Sequence, residues 1–471
     1  MRARLLLTAA VLVAFGASLG SGFHFDDYAI FADRALTSIS GWREVWAVAQ
    51  TRPLTYLTFW LNFQMGGNSP AGYHAVNLLL HIAAVLLLYG CLERLLPERL
   101  ALTAAAVFAV HPAVSEAVLY VWGRSILLAT VFCLLALRDW QRQRHWRAAA
   151  WFAAALLSKE EAAAFPLVLL LLDRKAWKPA AAMLLLDAAA GARVIYAAAV
   201  TPGALIAQTA GIGPAGYLFA QGSVVLRYLL LVVWPWGFTV DPDGTVYSRT
   251  AAALAWAALI VLVALAWRRR DREGGWLLAG LILLLPSSSF FPVADVAADR
   301  RLYLPMTAFA VVIAHFLSRR RWEVSVALCA VLAALSLHRT HIWDTEEALW
   351  REAVERSPRK LRPKLQLARV VPLPEALTLL AQAERLAPGD PAVPAETGAV
   401  LLAAGRPAEA LPAFGRALAM DPRDARNYNN RGTALAALGQ DDAAGNDFHR
   451  ALEIDPGLES ARDNLRRLGQ K

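Results

Sequence analysis

Cysteine is nearly absent, with three in 471 residues. Three cannot build a disulfide framework, and Cys91, Cys133 and Cys329 each lie in an apolar run, where they read as small packing residues. Charge is also scarce. Asp, Glu, Lys and Arg make up 18% of the chain, where an ordinary globular protein carries about 25%. Hydrophobic residues reach 57% and mean hydropathy is +0.41. These figures argue against a soluble enzyme, a disordered chain and a disulfide-rich secreted one. No HExxH, CxxC, Gly-rich phosphate loop or nucleophile elbow occurs, so zinc hydrolysis and nucleotide-driven chemistry have no support.

What the chain does have is apolar runs. A spanning helix needs roughly 20 apolar residues. Runs at 5–22, 72–92, 100–119, 125–138, 147–158, 161–172, 179–199, 250–267, 275–291, 302–317 and 322–338 predict about eleven spans, several of them short. The first could also serve as a cleaved signal peptide, having an Arg-containing start and small residues before Phe23. Basic residues set the orientation. Eighteen lie before the first run or after every second one, from Arg2 and Arg4 to Arg319, Arg320 and Arg321, and only nine lie in the opposite, longer loops. The side with eighteen is expected to be cytoplasmic. Residues 217–236 break this parity if they cross, so they are expected to form an interfacial or partly inserted helix. The net charge of +9 belongs to this apolar part, because residues 341–471 hold 18 basic and 19 acidic side chains. Clusters of this kind fit membrane orientation and not nucleic-acid binding.

The tail repeats. Pro388, Pro422 and Pro456 are 34 apart, as are Ala376, Ala410 and Ala444, and Phe414 and Phe448. Gly398 and Gly432, and Gly405 and Gly439, keep the same spacing. A 34-residue period with small residues at helix crossings and Pro at the end marks tetratricopeptide (TPR) repeats. Full repeats fall at 391–424 and 425–458, a shortened one at 359–390, a half repeat around Trp350, Ala353 and Pro358, and a polar cap at 459–470. The expected division is a membrane domain, 1–340, and a TPR domain, 341–471. Such an array binds; it implies no chemistry.

Ionisable groups beside lipid are costly and usually functional. Asp26 and Asp27 follow the first run in GFHFDDYAIF. Adjacent carboxylates suit a general base or a cation-binding point; the plainer role is a solvated helix cap. His111, Glu116 and Arg124 interrupt AVFAVHPAVSEAVLYVWGRSILL, where Pro112 must break the helix. Such breaks line cavities, or a buried His–Glu bond simply holds the kink. Lys159, Glu160 and Glu161 form a charged turn. Asp299, Arg300 and Arg301 precede LYLP, and an Arg beside a carboxylate suits a lipid-linked phosphate, offering two parallel hydrogen bonds; otherwise it snorkels as an interface anchor. Arg52, in TRPLTYLTFWLNF, reads similarly. His74, Asn77 and His81 share one helix face, but the two imidazoles lie about 10 Å apart along it; they are expected to make interhelical hydrogen bonds.

The blocks DD, RPLTYLTFWLN, GYHAVNLLLH, HPAVSEAVLYVWGRSILLA, ALLSKEEAAAFPLVLLL and ADRRLYLP, in this order and followed by TPRs, resemble the transmembrane-and-TPR-containing O-mannosyltransferases of the GT-C glycosyltransferase class. The resemblance covers essentially the whole chain. It implies an all-α, GT-C-like polytopic bundle followed by a TPR solenoid, with the active site on the non-cytoplasmic face. It implies a polyprenyl-phosphate-linked sugar donor, typically a mannose, and transfer to Ser or Thr hydroxyls. Asp26 and Asp27 match the family's acidic motif, and His111, Glu116 and Arg124 its HP…E…GR block. Ser158, Lys159 and Glu160 match SKE; Arg300, Tyr303 and Pro305 match a block in which Glu, not Asp299, is usual.

On this reading Asp26 or Asp27 takes the acceptor proton. Arg300, helped by Lys159 or Arg124, holds the donor phosphate, and His111, Glu116, Glu160, Asp299, Tyr303 and Arg52 support the polar site. Direct displacement predicts inversion. No cofactor is expected, although the acidic pair could take a divalent cation. Expected partners are membrane lipid, the polyprenyl-phosphate-linked donor, and a protein acceptor or partner at the TPRs. A plasma membrane of bacterial type is the expected location, with the site and repeats on its outer side. A membrane-anchored TPR adaptor and a lipid-linked oligosaccharide ligase are the alternatives.

Overall fold

The computed structural model of the chain describes residues 1–47, 50–200, 213–243, 248–289, 292 and 295–469. Its regular elements among these residues are all helical, as expected for an all-α polytopic protein. The end of the expected run 275–291 and the side chain of Arg34 lie outside the described residues. The fold comprises two units, Met1–Thr345 and Glu346–Lys471.

In the first unit the main helices are α1 (Arg2–Phe15), α2 (Pro53–Gly66), α3 (Pro70–Leu92), α4 (Glu98–Val110), α5 (Ser115–Leu119), α6 (Arg124–Trp140), α7 (His145–Leu156), α8 (Phe165–Leu172), α9 (Trp177–Val200), α10 (Pro214–Val233), α11 (Arg249–Arg268), α12 (Glu273–Leu284), α13 (Tyr303–Leu317) and α14 (Trp322–Ile342). Seven helices among the described residues are long and apolar enough to cross a membrane, and an eighth forms if the bent pair Glu98–Val110 and Pro112–Leu119 counts as one span. The other expected runs are apolar but shorter. The runs at 147–158, 161–172, 275–291 and 302–317 fold as shorter helices, of 12, 8, 12 and 15 residues. At 1.5 Å per residue, 12 residues reach about 18 Å, well short of the ~30 Å hydrocarbon core. Packing compensates in part: Tyr303 through Val311 of α13 are all buried inside the bundle.

The first run is built into the bundle. Leu7, Val11, Ala14 and Phe15 are buried, and Thr340 Oγ1 of α14 donates to Ala14 O at 3.0 Å.

Two ends of this bundle differ in chemistry. At one, the arginines of the short turns gather. Arg4 pairs with Glu93 at 3.9 Å, Arg99 donates to Arg320 O at 3.1 Å, and Arg174 lies over the Trp267 ring at 5.7 Å. At the other, the longer connections from 16–69, 111–123, 157–164 and 285–302 meet. The position of α10 follows from this division. Arg193 of α9 donates to Gln50 O at 2.8 Å at the second end, whereas α11 finishes beside Trp267 at the first. The chain between them leaves from and returns to the same end. Tyr217, Gln221 and Tyr228 of α10 bond the carbonyls of Ser287, Val296 and Ala298, all on the connection before α13. Thus α10 is long enough to cross, yet it packs along the connections of one end, and Arg268–Arg272 stay with the other basic turns.

In the second unit, α15 (Glu346–Arg356), α16 (Leu361–Ala368), α17 (Leu373–Leu386), α18 (Ala392–Ala403), α19 (Pro407–Met420), α20 (Ala425–Ala437), α21 (Asp441–Ile454) and α22 (Glu459–Leu468) form successive hairpins. The repeat has a steric origin. A Cβ on Gly398 would lie 2.8 Å from the Phe414 ring, and one on Gly432 would lie 2.8 Å from that of Phe448. Gly405 and Gly439 take φ of 72° and 75° in the hairpin turns, a region that glycine enters without penalty. The shortened repeat has an 8-residue first helix, α16.

Candidate active site

The polar groups picked out by sequence collect on the four connections at one end of the first unit. After α1 the chain turns through Phe25, whose φ of 48° is costly for a bulky side chain. The short 3-10 helix Phe25–Tyr28 then separates the two acids. Asp26 is exposed. Asp27 is 0% exposed; its Oδ2 accepts from the His24 amide at 3.0 Å and its Oδ1 from the Trp122 amide at 2.9 Å. Burial pushes its carboxyl up to about 8, against the pull of those amides. One acid therefore faces outward, and its neighbour clasps the first connection to the second.

The second connection begins where Pro112 ends α4. His111 is buried, with Nδ1 accepting from the Ala113 amide at 3.1 Å and Nε2 placed 3.1 Å from Val232 O. It holds the break by capping it, and its partner is not Glu116. Glu116 turns instead to Arg300: Oε1 accepts from Nη1 at 2.9 Å and Oε2 from the Arg300 backbone amide at 3.0 Å. Gly123 allows the turn before α6, since a Cβ there would stand 2.6 Å from Ala117 O.

Arg124 is turned to other partners. It is 0% exposed, and its Nε, Nη1 and Nη2 donate to Asn77 Oδ1, Thr58 O and Tyr73 O at 3.0, 3.2 and 3.0 Å. Its guanidinium also lies 4.5 Å from the Phe59 ring centroid. With its donors engaged in tying α2, α3 and α6 together, it is corrected from an expected phosphate ligand to a tether.

The third connection carries Ser158, Lys159 and Glu160. Ser158 O accepts from Thr55 Oγ1 at 2.9 Å. Lys159 is 4% exposed, its Nζ 3.2 Å from Glu161. Burial lowers the proton affinity of its amine, and the charges of Glu161, Arg52, Arg300 and Glu160 act on it. Arg52 grips Glu160 with two hydrogen bonds, at 3.0 and 2.5 Å. Burial would raise that carboxyl, but Arg52 outweighs it and holds Glu160 below the usual carboxylate range.

The fourth connection leads into α13. Arg300, with its side chain 27% exposed, is held by Glu116 and by Asp295 Oδ2, 3.0 Å from Nη2. Asp299 does not pair with Arg300. It is bound by Arg227 of α10 and accepts from the Thr239 amide at 3.1 Å. Tyr303 is buried below the cluster, its hydroxyl 2.8 Å from His81 Nδ1. Of the His/Asn stripe, His81 bonds other helices, through Tyr303 and Ala109 O at 3.1 Å, whereas His74 and Asn77 bond carbonyls of the connections, Gly22 O and Tyr120 O.

Three residues, Tyr120, Asp295 and Arg227, were not singled out as site groups from sequence, and Glu161 was named only as part of a charged turn. Tyr120 is buried on the second connection, where burial and the charges of Asp27 and Asp26 raise its hydroxyl's proton affinity and Arg300 opposes them. Asp295 shares Arg300, Glu161 shares Lys159, and Arg227 holds Asp299. Arg227 carried a usable signal as a lone cation in an apolar run; Tyr120 carried none beyond its block.

Among the described residues no group of three or more His, Cys, Asp or Glu could hold a metal ion. The acidic couple fits a divalent cation poorly, because both oxygens of Asp27 are turned to backbone amides. The arrangement offers an exposed carboxylate, an oriented guanidinium and an amine within one cluster. That set can accept a proton and hold an anion.

No protein-family model matches the chain. Among curated proteins it is similar to the protein O-mannosyl-transferase Tmtc1 of Drosophila melanogaster, with 46% identity over 99 residues, or 20% of this chain and 12% of that protein. It is 32% identical over 155 residues to protein O-mannosyl-transferase F38B6.6 of Caenorhabditis elegans, covering 29% and 22% of the two chains. It is 35% identical over 163 residues to protein O-mannosyl-transferase TMTC4 of Homo sapiens, covering 28% and 22%. The chain thus spans less than a quarter of the length of these relatives. Its sequence resemblance to the transmembrane-and-TPR O-mannosyltransferases is shown in those stretches. Among solved structures, ArnT from Cupriavidus metallidurans bound to undecaprenyl phosphate aligns over 90% of this chain and 80% of its own at 15% identity, with a TM-score of 0.42.

Proposed function

We propose that the chain is an integral membrane glycosyltransferase of GT-C type that moves a mannose-like sugar from a polyprenyl-phosphate donor to a Ser or Thr hydroxyl of a protein, on the non-cytoplasmic face. The observation that carries this reading is the clasp of Arg300 by Glu116, 184 residues away in sequence, at the end of the bundle where Asp26 is exposed and Lys159 is buried. The names of the curated relatives supply the reaction class, and the excess of arginine at the opposite end of the bundle supports the sidedness.

Asp26 is the exposed acid and serves as general base. The acceptor hydroxyl oxygen attacks the anomeric carbon as its proton passes to the Asp26 carboxylate. The bond from that carbon to the phosphate oxygen breaks, and polyprenyl phosphate leaves with the electron pair, so the product is inverted. Arg300 meets the departing phosphate with charge-assisted hydrogen bonds. Lys159 adds a second positive charge, poorly hydrated and so more effective. Glu116 positions Arg300 by binding both its backbone and its guanidinium. Asp27 positions Asp26 by locking the turn that carries both. The donor arrives activated, which removes any need for nucleotide.

Membranes carrying Asp26→Asn, supplied with labelled polyprenyl-phosphate mannose and a Ser/Thr-rich acceptor, should lose transfer by about 10²–10⁴-fold, the usual worth of a general base. Wild-type transfer by Asp26→Asn would remove the assignment of the base. Wild-type transfer by Arg300→Gln as well would remove the site.

A further inference from the structure

At the opposite end of the bundle, a cavity of about 380 Å³ is lined by Arg268, Arg269, Asp271, Arg272, Glu273 and Arg319. Four arginines face two carboxylates there. One of the two, Glu273, is already engaged by Arg269 and His315, each at 3.2 Å. The excess positive charge is held on a stiff turn. Backbone bonds run from Arg269 N to Ala266 O and from Arg272 N to Arg269 O, at 3.0 and 2.9 Å. Gly274 lets α12 start so close that a Cβ would lie 2.2 Å from Ala266 O. The cavity does not end in water alone. It shares Arg319 with a second depression lined by Phe316, Leu317, Arg320 and Val324, which is mostly apolar. Trp267 and Trp322 are 52% and 58% exposed nearby, on the last turn of α11 and the first of α14, as suits tryptophans at headgroup depth.

We infer that this composite site binds an acidic glycerophospholipid, its phosphodiester among the four arginines and an acyl chain along Phe316, Leu317 and Val324. A basic cavity takes any anion, but an apolar groove sharing one of its arginines selects an anion that carries a hydrocarbon tail. The bound lipid would brace the α11–α12 turn against α13 and α14. This site is independent of the proposed sugar transfer and lies at the other end of the bundle from it.

The test is titration of phosphatidylglycerol into the full chain in nonionic detergent, with bound lipid counted by native mass spectrometry. One tight site is expected, and phosphatidylcholine should not fill it. Each arginine near an anionic headgroup contributes about fivefold in affinity, so Arg319→Gln should weaken binding about fivefold, and Arg269→Gln with Arg319→Gln about 25-fold. Arg142→Gln, at the same end but outside the cavity, should bind as wild type does. Thermal unfolding without lipid checks that each variant is folded, and the single variant serves where the double one is not. Wild-type affinity in the folded Arg319→Gln variant would overturn the inference. Displacement of the lipid by excess inorganic phosphate would also overturn it, by making the cavity an anion site with no preference for lipid.

Discussion

The two units of this chain use small and polar residues in opposite ways. In the repeat unit, Gly398 and Gly432 do the same job one period apart, each clearing room for a phenyl ring. In the membrane unit the informative residues obey no period. Arg124 and Arg300 are both arginines at the same end of one bundle, yet one is sealed among carbonyls and aromatic rings and the other is part-exposed between two carboxylates. A periodic residue can be understood from its own repeat. An aperiodic one takes its meaning from whatever the fold brings to it.

That contrast can be broken or sharpened by substitution. The largest effect is expected at Asp26, where Asn should cut transfer by about 10²–10⁴-fold and leave the thermal midpoint of the detergent-solubilised chain in place. Arg300→Gln should follow, with a loss of about 10²–10³-fold for one removed charge-stabilising donor set, read as initial rates at saturating acceptor. Arg124→Met should act on stability instead. It leaves Asn77 Oδ1 without its donor and removes the ties to two helix carbonyls; a buried unmet group costs about 1–3 kcal/mol, so a fall of about 3 kcal/mol in unfolding free energy is expected. Equal effects of Arg124→Met and Arg300→Gln on transfer at matched folded fraction would erase the distinction between tether and ligand.

The pH dependence probes the other half of the acidic couple. Asp27 holds a proton in the fold up to about pH 8, whereas the unfolded chain releases it near pH 4. The folded state binds the extra proton across that window. Stability should therefore decline as pH rises from about 4 to 8, and this contribution should level off above it. Asp27→Asn should flatten that part of a thermal-midpoint profile. The smallest effect is expected in the repeats. Gly432→Val drives a side chain into the Phe448 ring, with a cost of about 1–3 kcal/mol for overpacking. Hydrogen exchange should rise in residues 425–458 of the full chain and stay unchanged in the membrane helices.

Much of this was legible in the residues. Apolar length announces membrane helices because lipid demands it, and the 34-residue period announces helix hairpins because the same ring-on-glycine contact recurs. The exact lengths of α7, α8, α12 and α13 were not legible. An apolar run reports only that a segment avoids water; burial against other helices meets that demand as well as lipid does. The site was legible as a set of misplaced charges, but not as pairs. Asp299 precedes Arg300 in sequence and binds Arg227, while Arg300 reaches back 184 residues to Glu116.

By itself the sequence determined the helical class, the membrane and repeat parts, and which charges could not be idle, since composition and period act locally along the chain. The tertiary structure alone decided which acid stays exposed, which arginine is a tether, and which carboxylate holds which cation. Those are matters of distance and burial, and the strength of an ion pair or hydrogen bond depends on both.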